Sequence, residues 1–203
     1  MSIFEVIRCN IGILTLNLAL LPCCEDAKRT HIGTATIGLG SSVHMSTARV
    51  TLSLTLERLW QFSLQYYSVR EVKEACLTLQ NRYKGNVNLL LLLKWLDEQQ
   101  AAFLDEDWYK IEACLGRSET LLHSYRDLRR KLKPHLADTL YRESLQFELQ
   151  LEKQQQSDLV DCLNSIELHI NTGEALTLRY CRQLGGQHLH EVFATSLPSI
   201  SHK

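Results

Sequence analysis

The densest charged cluster is Arg126, Arg129, Arg130 and Lys133, which share one helix face at i, i+3, i+4 and i+7, with Lys131 beside them. A patch of this kind can grip a nucleic-acid backbone, an anionic lipid surface or an acidic protein. Asp127 lies inside it, so the plain reading is a solvated face. Among the binding readings an acidic protein partner ranks first. Nucleic acid ranks last, because no helix-turn-helix pattern accompanies the patch and a net charge of -1 supplies no global field.

A second group is Asn86 and Asn88, which precede or open an apolar run. Their amides can orient a ligand, or one can cap a helix while the other turns the chain. With Trp60, Tyr67 and Trp95 they form the candidate pocket, where Tyr66, Tyr83 and Trp108 add aromatic surface for an apolar or aromatic ligand. Aromatics at helical spacing also serve as ordinary core. The carboxylates nearest these residues are Glu57, Glu71, Glu74, Asp97 and Glu98, with no Asp-x-x-x-Asp or Glu-x-x-His pair to grip a metal on one helix face. His123 and His135 lack a third ligand at a zinc-like spacing. His188 and His190 near Cys181 are a weak cluster, and no glycine loop cradles phosphate. No cofactor, metal or catalytic residue is expected.

Seven cysteines at wide spacing, Cys9, Cys23, Cys24, Cys76, Cys114, Cys162 and Cys181, include no C-x-x-C. They predict free thiols in a reducing, cytoplasmic setting, with Cys76 and Cys162 as small buried hydrophobes. A charged fraction of 22% and a hydrophobic fraction of 45% over 203 residues are ordinary for a globular chain. Ile11 to Leu21 is too short to span a bilayer. Glu5 spoils the basic region of a signal peptide, so no transmembrane segment is expected.

The elements that must position these groups are helical. Leu56 to Tyr67 reads as a first helix. Ser68 and Glu71 have capping-box spacing for a second, carrying Val72, Cys76, Leu79 and Tyr83 and stopped at Gly85. Five consecutive leucines, Leu89 to Leu93, would make every side of a helix apolar, so others must wrap it. Asp105 is the expected N-cap of the next helix, with Trp108, Ile111 and Leu115 inward and a break at Gly116. Leu121, Tyr125, Leu128 and Leu132 resume the pattern until Pro134, and Leu136, Leu140, Phe147 and Leu151 define a last long helix. No strand-like alternation appears between 55 and 170. The predicted fold is all-α: a compact bundle of five to six helices over 55–170, with a central fully apolar helix at about 87–96. Residues 1–44 read as a poorly packed extension preceding a start at Met45, and 171–203 as a loose, variable tail bearing Gly185, Gly186 and Pro198.

The string Leu59-Trp60-Gln61-Phe62-Ser63-Leu64 with Tyr67, then Val72 to Gln80, then Asn86 to Leu91 with Trp95-Leu96, resembles a proteobacterial domain-of-unknown-function family, number 2390. Leu128 to Lys133 extends the likeness, which covers about residues 56–135. The resemblance implies a helical cytoplasmic protein with a variable C-terminal part and no assigned activity. Members of that family begin shortly before the Leu-Trp motif. Two functions are carried forward: a non-enzymatic interaction or regulatory module using the basic helix face, and a small enzyme or carrier with a ligand pocket between helices. The sequence does not set the oligomeric state.

Overall fold

A computed structural model describes residues 49–194. The expected extension at 1–44, the start at Met45 and the last nine residues lie outside the described part. Seven α-helices and three short strands follow in the order β1 (Arg49–Val50), α1 (Leu56–Ser68), α2 (Arg70–Tyr83), α3 (Val87–Glu98), β2 (Ala101–Phe103), α4 (Trp108–Leu132), α5 (Asp138–Asn164), β3 (Leu168–Ile170), α6 (Leu176–Gln183) and α7 (His190–Phe193). The fold is predominantly helical, as the periodicity predicts, and Leu89 to Leu93 are at most 2% exposed. α3 is not wholly apolar: Asn88 and Lys94 are buried with it. Lys94 reaches Glu98 at 2.6 Å and lies over the Tyr66 ring.

Local chemistry sets the ends of α3. Asn86 caps it, its side-chain oxygen accepting from Leu89 N at 3.0 Å. Lys84, at φ 57, ends α2 in the left-handed region. Gly85 is there for closeness: an added Cβ would stand 2.7 Å from both Leu184 Cδ1 and Leu79 Cγ. The predicted capping box is absent. Ser68 Oγ donates back to Gln65 O at 2.6 Å, and Val69 alone separates α1 from α2. Asp105 sits in a 3-10 turn, Asp105–Asp107, and α4 begins at Trp108. α4 also runs unbroken through Gly116, where a Cβ would meet nothing within 4 Å.

Three expectations are corrected here. A small antiparallel sheet of order β1-β3-β2 joins the N-terminal and C-terminal parts, its strands too short to show alternation. Among residues expected to be loose, α6 packs on α3, with Cys181 and Phe193 fully buried. Asp97 at the end of α3 caps α6 by accepting from Leu176 N at 2.7 Å and Thr177 N at 3.0 Å. Tyr66 donates to the Phe193 carbonyl at 2.9 Å.

The third concerns the α4–α5 hairpin, whose helices pack extensively on one another. Leu121, Leu128 and Leu132 on α4, and Leu140 and Phe147 on α5, are 40–57% exposed. The stripes expected to face the core face outward instead. Beside the buried Leu122 and Leu145, what this middle part of the hairpin turns inward is charged: Arg129, Glu148 and Glu152.

Candidate functional site

On α5, Glu148, Glu152, Gln155 and Gln156 share one helical face, and all are at most 1% exposed. Arg126 and Arg129 of α4 meet them. Glu148 accepts from Arg126 Nε at 3.1 Å with one oxygen and from Arg129 Nε with the other. Arg129 Nη1 donates to Tyr141 OH at 2.9 Å. Arg126 Nη2 donates to Glu152, and Gln80, with its amide oxygen turned to the guanidinium, accepts from Nη1 at 2.8 Å.

Amides continue the network into the core. Asn88 Nδ2 donates to Glu152 at 2.9 Å and to Gln155 at 2.8 Å. Its oxygen accepts from Gln156 Nε2 at 3.0 Å, which also reaches Ser63 Oγ at 3.0 Å. Asn86 donates to Gln155 Oε1 at 3.1 Å, and its backbone amide donates to Tyr180 OH at 2.8 Å. Gln156 Oε1 has no hydrogen-bond partner among the described residues. Two guanidiniums thus face two carboxylates, and the amide hydrogen bonds to these groups make the burial tolerable.

The Arg126–Glu152 pair is lopsided. Burial works against the Arg126 charge, but Glu152 and Glu148 outweigh it and hold its pKa above the ordinary value. Burial pushes the Glu152 carboxyl up to about 7, against the opposing pull of Arg126 and the Asn88 amide. Arg126 is therefore the fixed charge, and Glu152 is the group that exchanges a proton near neutrality.

These groups reach the floor of a cleft of about 500 Å³ between the α2–α3 junction and the hairpin. Asn88, Arg126, Glu152 and Gln155 line its depth; Asn81, Lys84, His123 and Arg130 line its walls. Such a cleft offers hydrogen bonds and cationic groups to a polar guest, and a carboxyl that can change charge as the guest enters.

The structure divides the residues singled out in the sequence. Asn86 and Asn88 come together at the cleft. Trp60, Tyr67 and Trp95 do not: Trp60 lies under Lys153, Tyr67 is buried in the core, and Trp95 edges a shallow depression beside Phe62 and Gln99. The pocket is polar, not aromatic. Arg126, Arg129, Arg130 and Lys133 do not form one exposed face, because Arg126 and Arg129 turn inward to Glu148 and Glu152. Arg130 is exposed and pairs with Asp127, and Lys133 lies over Tyr141. Cys76 is fully buried, as expected, but Cys162 is only partly so. The sequence offers Glu143 or Glu148 as partners if the arginines form a structural seam, and Glu148 is the partner found. Glu152, Gln155 and Gln156 are not legible because a polar stripe at helical spacing reads as a wet face. Their signal is that the stripe matches the spacing of Arg126 and Arg129.

Residues 58–159 match a family of proteins described as being of unknown function, DUF2390. The chain belongs to the DUF2390 family. The match extends past the motifs around Trp60 and Asn86 into α5, so in this DUF2390 protein it takes in the whole ion network and the cleft floor. Comparison with curated proteins and with solved structures returns no match. Among the described residues no helix is long and apolar enough to cross a membrane.

Proposed function

We propose that the protein is a binding module for a small polar ligand carrying an acidic group, held in the cleft between the α2–α3 junction and the α4–α5 hairpin. One observation carries this reading: a cleft of about 500 Å³ whose floor is built from buried Asn88, Glu152 and Gln155 and half-buried Arg126, bonded to one another. Ligand sites are concave and present a few convergent polar groups. Buried charge is costly unless paired, so a paired set at the base of an open cleft is a preorganised surface. Lys84 and Arg130 on the walls favour a carboxylate or phosphate on the guest, although Glu119 lines the same cleft and Arg130 pairs with Asp127.

The basic helix face as a docking strip for an acidic protein has less support, since two of its four cations are engaged inside the fold. The test is a thermal-shift screen of the full chain against small carboxylates and phosphate esters. A ligand at 100 times its Kd stabilises by about 2.7 kcal/mol, which raises the melting temperature measurably. Asn81→Trp, at the exposed rim, should abolish the shift without unfolding the protein. No stabilising compound, or a shift that survives the plugged cleft, sinks the proposal.

A further inference from the structure

We propose that the outer face of the α4–α5 hairpin binds a second copy of this chain, closing into an antiparallel four-helix bundle. On α4, Leu121, Tyr125, Leu128 and Leu132 follow steps of four, three and four; on α5, Leu140, Ser144, Phe147 and Leu151 do the same. This is the narrow a and d seam by which helices pack on other helices. The two seams are level with each other. The Tyr125 ring stands 5.1 Å from that of Phe147, and Tyr125 OH donates to Ser144 O at 2.8 Å. The same register sets Leu132 at the height of Leu140 and Leu121 at that of Leu151.

The flanks say what kind of partner fits. In antiparallel packing e positions meet e and g meet g. The e positions Arg129, Tyr141 and Glu148 already bond across the hairpin. The g positions remain on the open side and are exposed: Ser124 and Lys131 on α4, Glu143 and Gln150 on α5. A two-fold axis along the hairpin brings Lys131 of one copy to Glu143 of the other, and Ser124 to Gln150, twice each. The face is self-complementary in charge, as an isologous contact requires.

The area is also sufficient. Five half-exposed large apolar side chains on one face offer roughly 500 Å², at the upper end of what a monomer leaves bare. The polar flanks bring each side toward the roughly 800 Å² of a stable interface. Of the seam and flank residues named here Ser124 alone also lines the cleft, so this inference does not rest on the proposed ligand.

The experiment is sedimentation velocity of the full chain over a concentration series. The wild type should dimerise. Leu128→Glu should be monomeric with an unchanged circular dichroism spectrum. Lys131→Glu and Glu143→Lys should each weaken association at least about tenfold, because both symmetric contacts become repulsive. Mixed in equal amounts, these two variants should associate as tightly as the wild type, since opposite charges then meet at both contacts. If Leu128→Glu fails to fold, the charge pair still decides. A wild type that stays monomeric, a dimer indifferent to Leu128→Glu, or a mixture no tighter than either variant alone overturns the proposal; a monomer would leave the seam to a helix of another protein.

Discussion

Burial holds the Glu152 carboxyl near pH 7 although Arg126 pulls it the other way, so the cleft floor changes charge within the physiological range. The unfolded chain releases this proton near pH 4.3. Between that pH and about 7 the folded protein keeps a proton that the unfolded chain has lost, so stability falls as pH rises through this window and levels off above it. Glu152→Gln, which cannot ionise, should lack this slope. Its stability relative to the wild type should climb from pH 5 to pH 8, by up to roughly 3 kcal/mol. Denaturant unfolding across that range checks it, and parallel curves for the two proteins would contradict the assigned proton. At Gly116 the prediction is simpler. The residue lies mid-helix with open space where a Cβ would go, so Gly116→Ala should stabilise by about 0.5–1 kcal/mol, read as a higher denaturation midpoint at unchanged slope.

The α4–α5 hairpin separates two arginines that are neighbours in sequence. Arg129 is 2% exposed against Glu148, whereas Arg130 is exposed. Arg129→Glu places a third carboxylate in a buried cluster and should cost at least about 3–5 kcal/mol; Arg130→Glu should change stability by under about 0.5 kcal/mol. Equal effects in a melting experiment would refute the inward orientation of Arg129. This hairpin is also where the sequence was least legible. α3 could be read because Leu89 to Leu93 leave no side on which to err. On α4 and α5 an apolar stripe and a polar stripe share one period, and periodicity alone does not say which points inward. The polar one does, beside Leu122 and Leu145, because Arg126, Arg129, Glu148 and Glu152 satisfy each other. α6 was missed for a different reason. It has eight residues, its buried side includes Thr177, Tyr180 and Cys181, and its cap is Asp97, 79 positions away. The strands, two or three residues long, are below the length at which alternation can be seen. Of the cleft, Asn86 and Asn88 were visible as polar residues beside an apolar run, while their partners on α5 were not.

At the scale of the whole molecule, the fold is closed by its most distant parts. Leu54 exchanges two hydrogen bonds with the Asn164 side chain, at 2.8 and 3.3 Å, and β3 is the middle strand between β1 and β2. No pair of strands can form until β3 exists, and α3 stays uncovered on one side until α6 arrives. A ribosome adding roughly 5–20 residues per second makes α3 about 80 residues before α6, hence some seconds earlier. Through that interval the emerging chain presents Leu89 to Leu93 without their final cover. Synthesis thus builds the stickiest helix first and its lid last. The newborn protein has a timed period of vulnerability, in which a chaperone is most useful and crowded translation of the same message is most hazardous.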